Sequence, residues 1–226
     1  MTRPEPEAAD LATRLRDKGL DVAVAPLFQI LGIDPGPLGD ADALLLTSPR
    51  AARFVPRDIA ALPVYAVGEA TAEAAETNGL KVAGIGPGEA DTHLAKLLPT
   101  GGEVLHLGGE DVARDLTATF GVLGIPYRRE AIYRAQAEKT LPLNAQSFLR
   151  TKGQKTVTLL SVRAAEVFAQ LVTKAGLKAA SADLTAACFS QRIAAAASAS
   201  LPYRSVGQTE PGNLTRFVDF VSSGGT

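Results

Sequence analysis

Short apolar runs alternate along the chain with stretches in which apolar residues recur every three or four positions. Leu44-Leu45-Leu46 ends abruptly in Thr47-Ser48-Pro49 and gives way to an alanine-rich helical pattern. Apolar runs of strand length predict buried strands, and the longer period predicts helices. The pattern places helices over 4–18, 49–61, 69–78, 91–98, 110–123, 141–150, 162–175, 191–199 and 211–222. It places strands over 22–28, 42–47, 63–67, 81–83, 103–107, 126–136, 156–160, 184–189 and 203–206, with 28–33 extended. Strands alternating with helices predict an α/β fold with parallel sheets covered on both faces.

The pattern also repeats. Val157-Thr158-Leu159-Leu160-Ser161 echoes the first junction, with Ser48, Arg50, Ala51 and Ala52 falling on Ser161, Arg163, Ala164 and Ala165. Without a gap, Arg3, Glu5, Ala8, Asp10, Leu11 and Gly19 lie over Gly108, Glu110, Ala113, Asp115, Leu116 and Gly124. A weaker echo sets residues 64–71 against 186–193. The order is A–B–A′–B′, over about 2–29, 34–100, 101–135 and 136–226. A period this long predicts two similar domains and not a solenoid. Equal content results if B and A′ form domain two at 34–130, and the chain ends, 1–29 and 137–226, form a split domain one. The extended segments 28–34 and 130–137 then cross between them as a paired linker. A′ opens with a strand at 103–107 whose counterpart in A would precede Met1, so domain one is expected to lack its first strand.

Composition narrows the class. With 46% hydrophobic and 21% charged residues over 226 positions, two ordinary small domains fit. A formal net charge of −1 gives no field that recruits nucleic acid or an anionic membrane. Cys188 is the only cysteine, which excludes an intrachain disulfide and suits a reducing, cytoplasmic setting. The apolar runs are too short to span a bilayer, and Met-Thr-Arg-Pro-Glu-Pro-Glu is no signal peptide.

In parallel sheets the strand-to-helix junctions gather at the carboxyl edge, where ligands bind. Ser48 reads as an N-cap and Pro49 as the first helical residue. Capping alone explains both, and the free N–H groups of a helix start also suit an anion. Four more junctions share this form: Val67-Gly68-Glu69-Ala70-Thr71, Leu107-Gly108-Gly109-Glu110, Ser161-Val162-Arg163 and Phe189-Ser190-Gln191-Arg192. Each alone is weak; together they are expected to ring the facing edges of two sheets. Other chemistries lack their residues. No phosphate-binding G-x-x-x-x-G-K-[ST] is present, and Gly84-Ile85-Gly86-Pro87-Gly88 has the wrong spacing for a dinucleotide turn. His93 and His106 have no partners at metal-ligand spacing. His106 and Cys188 lie in apolar strands and read as packed, and Ser48 lacks a hydrolase elbow.

Several of these stretches together resemble the uroporphyrinogen-III synthase family of tetrapyrrole biosynthesis. They are Thr2-Arg3-Pro4, Leu46-Thr47-Ser48-Pro49-Arg50-Ala51, Val64-Tyr65-Ala66-Val67-Gly68-Glu69-Ala70-Thr71, Leu107-Gly108-Gly109 with Arg114-Asp115-Leu116, Tyr133-Arg134, Ser161, and Pro211-Gly212-Asn213-Leu214. The resemblance implies two flavodoxin-like α/β domains on a two-stranded linker, the first domain discontinuous. It implies a cyclising lyase that dehydrates hydroxymethylbilane, inverts the terminal pyrrole ring and closes uroporphyrinogen III, with no metal or organic cofactor. Substrate and product each carry eight carboxylates. The resemblance and the junctions together mark Arg3, Thr47, Ser48, Pro49, Gly68, Glu69, Thr71, Gly108, Gly109, Ser161, Ser190 and Gln191 for substrate, with a solvated helix surface the other reading of Arg3. Tyr133 stands in the linker opposite Phe28 in the repeat, so it is either a packed linker residue or the proton donor to the departing hydroxyl. Arg50 and Arg163 are carboxylate partners or solvated helix-surface residues. A non-catalytic binder of a small anionic metabolite is the competing reading, and an inactive family member a third. The expected assembly is a monomer, with at most a transient contact to the preceding pathway enzyme.

Overall fold

The computed structural model describes residues 1–88, 97–99, 101–112, 115–209 and 213–225. Among them, no helix is long and apolar enough to cross a membrane. The chain divides into two compact units, Met1–Gln29 with Gln136–Thr226, and Ile30–Ala135. The fold is α/β with predominantly parallel sheets.

The larger sheet contains β1 (Phe28–Gly32), β2 (Ala43–Leu46), β3 (Val64–Ala66), β4 (Val82–Ile85), β5 (Val104–Gly109) and β6 (Tyr127–Ala137), in the order β1-β6-β5-β2-β3-β4. Four consecutive apolar residues with no polar face suit a strand covered on both sides, and all of β2 is fully buried. It runs parallel to β3 and β5, with Leu46 opposite Ala66 and Leu107. Alternation sends Leu44, Leu46, Leu105 and Leu107 to one layer, with Ala75 of α2 (Glu69–Thr77). Leu45 and Val104 face the other layer, with Leu116 and with Phe120 of α3 (Thr117–Val122). Each fully buried leucine contributes about 1.5–3 kcal/mol. Along β1 and β6, Ile33 N–H donates to the Ile132 carbonyl in one unit, and Glu138 N–H to that of Leu27 in the other. Stepping back on one strand matches stepping forward on its neighbour, so this pair is antiparallel.

In the unit formed by the chain ends, β7 (Lys155–Leu159), β8 (Leu184–Cys188) and β9 (Ser205–Gln208) make a parallel three-stranded sheet. Around it stand α1 (Glu7–Asp17), α4 (Leu143–Arg150), α5 (Val162–Lys174), α6 (Gln191–Ser200) and α7 (Leu214–Ser222). Leu11 and Leu15 of α1 meet Phe217, Val218 and Val221 of α7 over Ala187 of β8. Three helix starts are capped by their own side chains. The Ser161 hydroxyl accepts from Ala164 N–H at 3.0 Å, Ser190 from Ile193 N–H at 3.4 Å, and Asn213 from Arg216 N–H at 2.9 Å. Ser161→Ala is expected to destabilise this unit by about 0.5–2 kcal/mol, read as a lower urea midpoint with an unchanged slope.

Beyond β7 stand Met1 and Thr2. The Met1 ammonium donates to the Ala23 carbonyl at 3.1 Å, and Ala25 N–H donates to the Met1 carbonyl at 2.9 Å. On the other side, the Thr2 hydroxyl donates to the Thr158 carbonyl at 2.6 Å. These two residues therefore take the place beside β7 that β5 takes beside β2. Burial lowers the Met1 ammonium pKa to about 6.

Several elements differ from the sequence expectation. No strand forms over 22–27; Pro26 has no N–H to donate, and β1 begins only at Phe28. The helix expected over 49–61 is a 3₁₀ turn, Ala51–Phe54, followed by looser turns. Pro56 disfavours helical backbone at Val55, which is extended at φ −60° and ψ 123°. The helix expected from 110 begins at Thr117, where the Asp115 carboxylate takes both the N–H and the hydroxyl of Thr117. The last strand is shifted to Ser205–Gln208, and a 3₁₀ segment, Lys178–Asp183, was not foreseen. Residues 91–96 of the expected fourth helix, His93, Arg114 and Pro211-Gly212 lie outside the described residues.

Candidate functional site

From β2 the chain proceeds to β3 and β4 on one side, whereas β5 leads to β6 on the other. The crevice between β2 and β5 is thus the topological switch point of this sheet, where successive loops diverge and leave an opening. Thr47 and Ser48 follow β2, and Gly108 and Gly109 end β5. The Leu46–Leu107 pairing sets Thr47 across from Gly108. The Ser48 hydroxyl accepts from Arg50 N–H at 3.3 Å. That is a tight local turn, and not the helix N-cap expected; Pro49 is exposed beside it.

Gly68 closes β3 and starts α2. Its backbone is extended at φ −173°, so glycine serves close approach here: a β-carbon would stand 3.0 Å from the Gly88 Cα. The Gly68 carbonyl accepts from Thr71 and Ala72, and no side chain caps the first turn. Glu69 is exposed at this helix start, so its carboxylate already occupies the positive end of the helix. Thr71 is only 2% exposed and packs into the unit's interior.

Tyr133 reaches the same edge from β6. A register shift pairs Gly108 with Ala131 but Gly109 with Tyr133, and Glu110 N–H donates to the Tyr133 carbonyl at 2.8 Å. The ring stacks on Phe54 with centroids 5.6 Å apart. A β-carbon on Gly109 would lie 2.9 Å from this ring and 3.1 Å from its hydroxyl oxygen. Only glycine lets the phenol lie over the end of β5. No helix follows Gly109 directly, so this turn does not supply the helix start expected of it.

Beneath Thr47 lies a polar chain that sequence reasoning missed. His106 is 4% exposed. Its Nε2 stands 2.9 Å from the Thr47 hydroxyl and its Nδ1 2.7 Å from the Tyr127 hydroxyl. Burial, reinforced by the Arg129 cation, lowers the His106 pKa to about 4, so the ring is neutral at neutral pH. Burial raises the Tyr127 phenol to about 12. Arg129 itself donates to the Gly109 carbonyl. Reading His106 as packed was right about burial and silent about its partners.

At the other unit's carboxyl edge, Ser161 and Ser190 cap α5 and α6, and exposed Gln191 opens α6. Arg3 follows Thr2 beside β7 and is partly buried. The Arg163 guanidinium lies over the Phe28 ring, 5.1 Å from its centroid. Cys188 is fully buried and its thiol is pushed up to about 11, which leaves no thiolate for nucleophilic work. Thr209, just after β9, was not foreseen; its hydroxyl is buried with no hydrogen-bond partner among the described residues.

Hydroxyls, glycine turns and helix starts at the carboxyl edges of parallel sheets define an α/β protein suited to a small anionic ligand. The family model for "Uroporphyrinogen-III synthase HemD" matches residues 9–206, and the chain belongs to that family. The uroporphyrinogen-III synthetase structure from Helicobacter pylori 26695 is similar at 18% identity and a TM-score of 0.61, over 91% of this chain and 95% of that one. The wild-type uroporphyrinogen III synthase of the extremely thermophilic bacterium Thermus thermophilus matches at 17% identity and a TM-score of 0.43, over 99% and 98% of the two chains. At 18% identity the likeness to the Helicobacter pylori structure concerns the fold. No curated protein sequence matches the chain.

Proposed function

We propose that the chain converts hydroxymethylbilane to uroporphyrinogen III with loss of water, as a cyclising lyase of heme and tetrapyrrole biosynthesis. Family membership supports the reaction. The observation that carries the site is the switch point between β2 and β5, where Thr47, Ser48, Gly108, Gly109 and Tyr133 meet. In this reading the phenol of Tyr133 protonates the terminal hydroxyl. The C–O bond breaks, water leaves, and the last pyrrole ring attacks the remaining azafulvene cation through the carbon that already carries its bridging methylene; the older bond to that methylene then breaks, and the ring turns over and rejoins the methylene through its free α-carbon. The proton that ring then loses restores the phenol. The cation is reactive enough to close unaided to the wrong isomer, so the protein's task is to hold the chain until the ring has inverted.

Donors without fixed positive charge suit eight carboxylates, because hydroxyls and backbone N–H groups bind them directionally. Thr47, Ser48, Pro49, Gly68, Gly108 and Gly109 form the proposed contact surface of one unit, with Glu69 at its border. Arg3, Ser161, Ser190 and Gln191 form that of the other. The internal repeat and the division into two compact units support two flavodoxin-like domains, 1–29 with 137–226 and 34–130, on a paired linker at 28–34 and 130–137.

The test is an assay with freshly generated hydroxymethylbilane, followed by chromatographic separation of type I and type III uroporphyrins. Type III in excess supports the reading, and type I alone rejects it. In the same assay Ser48→Asp is expected to raise KM at least ten-fold by like-charge repulsion, at unchanged melting temperature. Unaltered KM in the folded variant would remove this loop from the site.

A further inference from the structure

We propose that His106 is a positioning residue that fixes the Thr47 hydroxyl as a hydrogen-bond donor toward a substrate carboxylate. The inference rests on the substrate-binding reading of Thr47 and goes beyond it by assigning the direction of each proton.

A neutral imidazole has one donor nitrogen and one acceptor nitrogen. Both His106 nitrogens are engaged, Nε2 with Thr47 at 2.9 Å and Nδ1 with Tyr127 at 2.7 Å. A phenol is a better donor than acceptor, and an imidazole nitrogen with a free lone pair is a better acceptor than a phenol oxygen. Tyr127 therefore donates to Nδ1. That places the ring proton on Nε2, where it donates to the Thr47 oxygen. Thr47 has one hydroxyl proton, and with its oxygen already accepting, that proton points away from His106. Thr47 follows directly on β2 at the switch-point crevice and is only partly buried. The Arg129 cation opposes a second ring proton, and on Tyr127 burial, helped by Asp115, keeps the phenol protonated against the opposing pull of Arg129.

Tyr127 on β6, His106 on β5 and Thr47 just after β2 thus form one line. It turns a hydroxyl that could either donate or accept into a fixed donor. A carboxylate accepts only, so the protein needs that orientation and not its reverse.

The test combines a direct observation with kinetics. In ¹⁵N-histidine-labelled protein, long-range ¹H–¹⁵N spectra report which ring nitrogen carries the proton. Protonated Nε2 with bare Nδ1 is expected, and the opposite tautomer overturns the proposal without any activity measurement. With hydroxymethylbilane as substrate, Thr47→Val and His106→Leu are each expected to raise KM about ten-fold or more, as for a lost hydrogen bond to a charged group. The double variant is expected to be no worse than either alone, and Thr47→Ser to restore wild-type KM. Tyr127→Phe frees the tautomer and is expected to raise KM several-fold. If Thr47→Val raises KM but folded His106→Leu does not, the positioning role fails while the site stands. If Thr47→Val leaves both KM and isomer ratio unchanged, the substrate-binding reading of Thr47 fails and the proposal falls with it.

Discussion

Tyr133→Phe is expected to retain the fold and lose roughly 10²- to 10⁴-fold in the rate of type III formation, the usual contribution of a positioned general acid. The ring has two structural duties, stacking on Phe54 and filling the space over Gly109, and phenylalanine performs both. Only the hydroxyl is lost. Because the substrate closes unaided to the type I isomer, the product ratio is as informative as the rate. A slow variant should release a mixture dominated by type I at long times. Wild-type rate and ratio would remove the phenol from the mechanism and leave Tyr133 as a linker residue. Gly109→Ala offers an independent check on geometry. Its β-carbon would force the phenol aside, so the variant should resemble Tyr133→Phe in product ratio while both keep the hydrophobic contact with Phe54. Near-wild-type type III output from Gly109→Ala would show that the phenol's position over β5 is immaterial.

What could be read in the sequence was local. The serines of the second repeat cap their helices because a cap needs only the next three residues, and both Ser161 and Ser190 do so. The strand Ala43–Leu46 announces itself because burial on both faces leaves no polar position. The first repeat's Ser48 is followed by Arg50-Ala51-Ala52 just as Ser161 is by Arg163-Ala164-Ala165, yet Pro56 stops the chain from continuing as an α-helix, and the hydroxyl turns to Arg50. The start of α3 was misplaced for a similar reason. Asp115 gathers both polar atoms of Thr117 and sets the first turn there, a choice that helical periodicity over 110–123 does not reveal. The chain from Tyr127 through His106 to Thr47 was beyond local reading, since its members are 21 and 59 residues apart. Parallel pairing of β2, β5 and β6 brings them into line, and strand order is a property of the whole sheet. Burial was equally beyond local reading at Thr71, whose hydroxyl, one turn into the helix, lies on the face that α2 buries.

Phe217→Ala is expected to produce the largest loss of stability, about 3–5 kcal/mol. That is a large share of the ~5–15 kcal/mol that holds a typical domain together. The ring is fully buried and meets Phe189 edge-on, with centroids 5.3 Å apart and planes at 86°. Around it lie Leu11 and Leu15 of α1, Val218 and Val221 of α7, and Ala187 of β8. Removing it therefore loosens both terminal helices and the middle strand at once. The facing strand contributes only the small side chain of Ala187, which cannot fill the space. Among the described residues the sheet here has three strands against six in the other, and Met1 and Thr2 stand where β5 stands beside β2. In calorimetry the variant should melt roughly 10 °C or more below wild type. The corresponding change in the other unit, Phe120→Ala, removes a ring of equal burial from a broader sheet. The two substitutions should shift different parts of the unfolding profile if the units melt separately. A loss below about 1 kcal/mol for Phe217→Ala, outside the range for an emptied aromatic site, would mean that the contact between α1, α7 and β8 is not what holds the chain ends together.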